Sequence, residues 1–109
     1  MAIVLREATV NLALDNRFNA VGRTYTLYLR GLSEVVLDSQ VVDFNAASAR
    51  AVSLSASAIF AIATGEKVVS LQLKDDLSAI YFTETLSPQP EYDDNGTYTV
   101  NDVTITFGV

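Results

Sequence analysis

The fold is decided by the stretch Gly65-Glu66-Lys67-Val68-Val69-Ser70-Leu71-Gln72-Leu73-Lys74-Asp75-Asp76. From residue 69 to residue 74 three apolar residues alternate with three polar ones, which is the period of a β-strand that has one dry face and one wet face. The apolar set is Val69, Leu71 and Leu73, and the polar set is Ser70, Gln72 and Lys74. A Thr-Gly turn precedes the stretch and two aspartates end it. We therefore predict a central strand of a sheet that buries one side.

Further strand patterns lie on both sides of this stretch. Residues 23–31 alternate with Tyr25, Leu27 and Leu29 on the inner side. Threonine and tyrosine, which are frequent here, suit a half-buried pleated surface. The other predicted strands cover residues 35–37, 40–44, 50–63, 78–86, 97–100 and 103–107, with a break near Asp38-Ser39. In 78–86 we expect Ile80, Phe82 and Leu86 to point inward and Tyr81, Thr83 and Thr85 to point outward.

Residues 50–63 form an Ala/Ser-rich segment that fits two structures. Helix propensity alone allows a helix. The apolar residues recur with a period of two, however, at Val52, Leu54, Ala56 and Ala58, and this favours a strand. Small side chains on both of its faces predict close packing against another layer or subunit.

Residues 5–20 are also ambiguous. Ala8, Val10, Leu12 and Leu14 alternate as in a strand, whereas Leu5, Ala8 and Leu12, with Val10, Leu14 and Phe18 beside them, fit a helical stripe. The segment is longer than a usual strand and Gly22 follows where a helix would stop, so we predict a helix over about 5–20. The fold class expected is mainly β: an antiparallel β-sandwich or jelly-roll-like domain with one N-terminal helix, and strands from about 23 to 109.

Length and composition restrict the function classes. The chain has 109 residues, which predicts a single domain over 1–109, and a net charge of −6 with no histidine and no cysteine. These counts exclude a Ser-His-Asp relay, disulfides, thiolate catalysis and Cys-ligated zinc. Seven scattered Lys and Arg residues make no basic stripe, so we expect neither nucleic-acid nor membrane-surface binding. No signal peptide, membrane span or cofactor is expected.

Acidic and glycine-containing turns offer the remaining candidates for a site. Asp75-Asp76 and the run Glu91-Tyr92-Asp93-Asp94-Asn95-Gly96 could supply oxygen ligands to calcium, but they lack the alternating ligand spacing of a calcium loop, and we interpret them as turns. Asn95-Gly96-Thr97 matches a glycosylation acceptor pattern, although Asn-Gly is also a favoured turn. No two of the thirteen carboxylates are singled out as a hydrolytic pair.

The order of landmarks resembles a group of small structural proteins of tailed bacteriophages, of the decoration, cement or fibre type. The N-terminal features that carry the resemblance are Asn11-Leu12-Ala13-Leu14-Asp15 and Leu27-Tyr28-Leu29-Arg30-Gly31-Leu32. They are followed by Ala58-Ile59-Phe60, Thr64-Gly65, Val69 to Asp75, Ala79 to Leu86, and the last hairpin Gly96-Thr97-Tyr98-Thr99-Val100-Asn101-Asp102-Val103-Thr104-Ile105-Thr106-Phe107. Residues 34–51 have no counterpart in the group.

The resemblance implies a non-enzymatic protein that is assembled in the host cytoplasm and resides in the virion. It would act through contacts with itself, as a homo-oligomer for which a trimer is expected, and with a major capsid or tail protein. The residues predicted for such contacts are Tyr28, Val52, Leu54, Phe60, Tyr81 and Phe107. An alternative is a carbohydrate- or receptor-binding module that uses Tyr28, Tyr81 and Tyr92 as stacking platforms. A third is a hydrolase that depends on two close carboxylates.

Overall fold

The computed structural model describes residues 5–106. One helix, α1, precedes a series of strands, and a short 3₁₀ turn lies at Leu32–Glu34. The bounds are α1 Glu7–Phe18, β1 Tyr25–Arg30, β2 Val36–Val42, β3 Ala51–Ser53, β4 Ala58–Ile62, β5 Ser70–Asp75, β6 Ile80–Thr85, β7 Gly96–Val100 and β8 Thr104–Thr106. The prediction of a mainly β fold with an N-terminal helix is confirmed.

The strands form one larger sheet and two strand pairs. The larger sheet has the order β2-β1-β5-β6, and β3 pairs with β8 while β4 pairs with β7. Every pairing is antiparallel. The result is a sandwich-like arrangement in which β5 lies between two partners, so the stretch from Gly65 to Asp76 does contain a central strand.

One cluster of buried apolar residues joins the helix to the sheets. The inner face of β1 and β5 supplies Leu27, Leu29 and Leu73, none of which is exposed to solvent. Helix α1 contributes Val10, Leu14 and Phe18, spaced four residues apart on one face. Leu12 and Leu5, which the predicted stripe also included, are exposed instead. Val52 of β3 and Phe60 of β4 complete the cluster from the other layer.

The prediction that β5 has one wet face is wrong. Ser70 and Gln72, on the polar side of the strand, are buried at 5% and 7% exposure. Neighbouring strands cover and satisfy them, because Arg30 Nε donates to Ser70 Oγ at 3.0 Å and Gln72 Nε2 donates to Thr83 Oγ1 at 2.9 Å. A central strand has neighbours on both sides, and their long side chains exclude water even from a polar face.

Two predicted strand boundaries are also wrong. The segments 35–37 and 40–44 form one strand, β2, in which a bulge opposite Leu29 and Arg30 absorbs the irregular pattern. The Ala/Ser-rich segment is instead divided into β3 and β4, which pair with different partners. The division falls at Ser55–Ser57, where the side chains are exposed and do not contribute to the core. A continuous period of two therefore hid a change of pairing partner.

The sides expected for Ile80 and Tyr81 are reversed. A register shift between Leu73 and Lys74 pairs Lys74 with Ile80 and Leu73 with Phe82, which leaves Tyr81 as the extra residue of a bulge. Ile80 is consequently 56% exposed, whereas the Tyr81 ring packs against the core. A bulge adds one residue to a strand and so changes the side on which the residues before it lie.

Within the described residues strand β8 begins at Thr104, one residue after the predicted start at 103, and Phe107 and Val109 lie outside the described residues. Within the part of the chain that is described, no helix is long and apolar enough to cross a membrane.

Candidate functional site

An open apolar groove lies between the β6 edge of the larger sheet and the strands β7 and β8. Its volume is about 700 Å³. The apolar residues that line it belong to β5, β6, β7 and β8 or lie next to the ends of β6 and β8. They are Leu71, Phe82, Leu86, Tyr98, Val100, Val103 and Ile105. The sandwich is thus not closed on this side, since Phe82, Leu86 and Ile105 are only half-buried.

Strand edges border the groove. In the described part of the chain β6 pairs only with β5, β7 only with β4 and β8 only with β3. An unpaired edge presents backbone N–H and C=O groups that can form a ladder with another strand. The groove therefore combines apolar side chains with unpaired backbone groups, which are the two requirements for adding a strand from another chain.

Glu84 is the one charged residue on the sheet side of this groove. It pairs with Leu71, so its side chain lies between those of Phe82 and Leu86 on the inner face of β6. Asp102 lines the opposite side. A carboxylate that points inward on an edge strand is one of the ways in which proteins limit uncontrolled edge pairing.

The structure separates the residues predicted for subunit contacts. Val52, Leu54 and Phe60 lie in the core, exposed by 1%, 8% and 0%. The chain's own residues already cover them, so they present no surface to a second subunit, and this corrects the expectation that they form one. Their alternation reflects burial against another layer of the same chain.

The two other described contact candidates, Tyr28 and Tyr81, lie on opposite faces of the larger sheet. Tyr28 is opposite Gln72 on the polar face, and Lys74 Nζ lies 5.4 Å from its ring centroid. Tyr81 packs edge-to-face against Phe18 and Tyr25 on the core side. These two tyrosines therefore cannot form one stacking platform for a sugar.

Tyr81 belongs to a polar cluster at the β5–β6 turn. Its hydroxyl donates to Asp75 Oδ2 at 3.0 Å, and the guanidinium carbon of Arg17 lies 4.2 Å from its ring centroid. Asp75 Oδ1 accepts from the amides of Leu77 at 2.9 Å and Ala79 at 3.0 Å. Both oxygens of Asp75 are thus used to shape the turn, as in an Asx-type turn.

The same contacts shift the acidities of both groups. Desolvation raises the pKa of Asp75, but the hydrogen bonds from Ala79, Tyr81 and Leu77 outweigh it, and the pKa lies below its ordinary value. Burial and the adjacent Asp75 carboxylate raise the pKa of Tyr81 to about 12. Each shift follows from a structural role in the turn.

Two of the residues considered for a cation site have side-chain partners in the chain. Asp76 Oδ1 accepts from the amide of Thr24 at 3.1 Å, and Asp76 Oδ2 lies 3.4 Å from Arg23 Nη1. Asn95 Oδ1 accepts from the amide and the hydroxyl of Thr64. Across residues 5–106, no three Asp, Glu, His or Cys side chains are grouped so that they could hold a metal ion.

The sequence contained one signal for the groove that the strand pattern alone did not reveal. In residues 78–86 the side that includes Phe82 and Leu86 also includes Glu84. A charged residue between two apolar residues that are expected to point inward indicates that this face is open to solvent. The contribution of Tyr98, Val100 and Ile105 could not be foreseen, because it depends on how the β7 and β8 pairs sit against the larger sheet.

Comparisons with protein-family models, with curated proteins and with solved structures find no significant match to this chain.

Proposed function

We propose that this chain is a non-enzymatic structural protein of a bacteriophage virion, a capsid decoration or cement protein or a tail or fibre component. It acts through contacts with other copies of itself and with a major capsid or tail protein. It is assembled in the host cytoplasm and resides in the virion. The trimer expected from the resemblance remains a prediction.

The observation that carries this proposal is the open apolar groove bordered by the unpaired edges of β6, β7 and β8. Apolar surface left open along strand edges is characteristic of a protein–protein interaction site. Low charge content, 18% of residues, agrees with surface that is covered in an assembly. The assignment to a virion, among possible assemblies, rests on the order of the sequence landmarks that resembles phage structural proteins.

Carbohydrate binding is not favoured by any contact seen here. Tyr28 and Tyr81 lie on different faces, and the Tyr92 hydroxyl donates to the Thr97 carbonyl at 2.8 Å.

The proposal is tested on phage particles from a host strain that carries the gene. Particles are purified by density gradient and probed with an antibody raised against the recombinant chain. We expect the chain to band with the particles at a fixed ratio to the capsid protein. A strain with the gene deleted serves as the antibody control. A chain that stays at the top of the gradient, apart from intact particles, would show that the proposed function is wrong.

A further inference from the structure

Strand β6 is the edge of the larger sheet and its sequence favours further pairing. The residues Ile80-Tyr81-Phe82-Thr83-Glu84-Thr85 are rich in β-branched and aromatic side chains. They include no proline and no lysine, and the inward-pointing carboxylate of Glu84 is the one edge-protecting feature of the strand. Glu84 is the only charged residue in the strand.

The free backbone groups of β6 belong to Thr83 and Thr85. Leu86 N donates to Val69 O at 2.9 Å, so the backbone N–H and C=O groups of Leu86 point toward β5. The backbone groups of Glu84 and Phe82, which are two and four residues earlier, point the same way. Successive residues of a strand direct their backbone groups to opposite sides. The N–H and C=O groups of Thr83 and Thr85 therefore point away from β5, to the open edge.

The chain exposes more surface than a compact monomer of its mass. Its accessible surface is 6812 Å². A compact monomer of the same mass is expected to expose about 5,900 Å². The excess of roughly 900 Å² is close to the ~800 Å² that each partner buries in a stable complex of standard size.

We propose that β6 pairs antiparallel with β6 of a second copy of this chain about a twofold axis, joining two four-stranded sheets into one of eight strands. We assign the edge to a second copy because a twofold contact uses the same surface on both subunits, and β6 of one copy can pair with β6 of the other. The inference rests on the self-association in the proposed function, and it replaces the trimer expected from the resemblance with a twofold dimer.

The charge on Glu84 selects the register. A twofold axis at Glu84 would place two carboxylates directly opposite each other, which is destabilising. An axis at Thr83 instead pairs the Thr83 residues of the two copies, places Glu84 opposite Phe82, and pairs Thr85 with Tyr81. An axis at Thr85 would pair Thr83 with Ser87, beyond the end of the strand. An axis at Phe82 would also pair five residues of β6, but it would place Thr85 opposite Ala79, outside the strand. The register centred on Thr83 therefore pairs both Thr83 and Thr85 within β6 without opposing like charges.

A single cysteine tests this register, because the chain has no cysteine of its own. In a hydrogen-bonded antiparallel pair the Cα atoms are about 5.5 Å apart, within the range that a disulfide spans. We expect Thr83→Cys to form a covalent dimer within minutes under mild oxidation at micromolar concentration. Thr85→Cys is the matched control, since residue 85 is opposite residue 81 and lies about 14 Å from its own counterpart. Val21→Cys, at a fully exposed position away from the edge, controls for random collision.

A second variant breaks the contact and keeps the backbone ladder between β5 and β6, although it also removes the Thr83 hydroxyl that accepts from Gln72 Nε2. Thr83→Pro deletes an N–H that points to the open edge, so the β5–β6 ladder is kept. Light scattering should give a dimer for the unaltered chain and a monomer for Thr83→Pro, with far-UV circular dichroism confirming that both are folded. If Thr83→Pro is unfolded, the comparison of cross-linking between Thr83→Cys and Thr85→Cys tests the register by itself.

The outcomes separate this inference from the proposed function. A monomer at 100 μM, a trimer, or cross-linking of Thr85→Cys at least as fast as that of Thr83→Cys would overturn the twofold contact. Each of these results is compatible with a chain that bands with phage particles, whereas a confirmed dimer that stays apart from particles would contradict only the virion proposal.

Discussion

At the scale of single residues, the contact between Tyr81 and Asp75 predicts a change of stability at alkaline pH. The folded state raises the pKa of Tyr81 from an ordinary value of 10.0 to about 12. A raised folded-state pKa contributes stability that is fully present below pH 10 and is lost as the pH rises toward 12. The free energy of unfolding should therefore fall over this range, beyond the effect of the other tyrosines.

The variant Tyr81→Phe isolates this contribution. It removes the hydroxyl that donates to Asp75 and keeps the ring packed against Phe18 and Tyr25. At pH 7 we expect a loss of about 0.5–1 kcal/mol in urea unfolding, and between pH 10 and 12 a smaller decline than in the unaltered chain. Tyr28→Phe is the control on the opposite face. Identical alkaline profiles for the unaltered chain and Tyr81→Phe would contradict the role assigned to this hydroxyl.

At the scale of elements, helix α1 is held by one face only. Leu14 is 6% exposed whereas Leu12, two residues earlier on the same helix, is 63% exposed. Replacing a buried leucine by alanine leaves a cavity and costs about 2–5 kcal/mol, so Leu14→Ala should be strongly destabilised. Leu12→Ala should unfold within about 0.5 kcal/mol of the unaltered chain. Chemical denaturation followed by circular dichroism measures the free energy of unfolding of both variants. Equal losses of stability in Leu14→Ala and Leu12→Ala would show that the buried face of helix α1 has been assigned wrongly.

The elements differ in how far the sequence predicted them. Strand β1 was predicted because its apolar residues keep a period of two over the whole element. Helix α1 was predicted because its segment is longer than a usual strand and Gly22 follows it, although Leu5 and Leu12 of the expected stripe are exposed. The sides of β6 and the division between β3 and β4 were not, because a bulge at Tyr81 and a change of partner at Ser55–Ser57 depend on strands far away in the sequence. The buried polar residues Ser70 and Gln72 were missed for a similar reason, since Arg30 and Thr83 cover them only after the sheet has formed.

At the scale of the whole molecule, the chain is more extended than its length requires. Its radius of gyration is 15.7 Å, with extents of 52 × 32 × 22 Å. A compact domain of this length is expected near 13 Å. The low charge content agrees with apolar surface that the chain leaves uncovered, but it does not say where that surface lies. The location depends on β6, β7 and β8, which are distant in the sequence and form the groove only when the chain is folded.

A dimer built through β6 predicts that thermal stability depends on protein concentration. Only the folded chain can pair through this edge, so mass action stabilises it as concentration rises. When the dimer is saturated, each tenfold increase should raise the Tm by roughly 3–5 °C for a domain of this size. Differential scanning calorimetry from 5 to 500 μM (about two decades) would record the shift, and Thr83→Pro should melt at a Tm independent of concentration. A constant Tm in the unaltered chain would mean that copies of this chain do not meet at the open edge of β6.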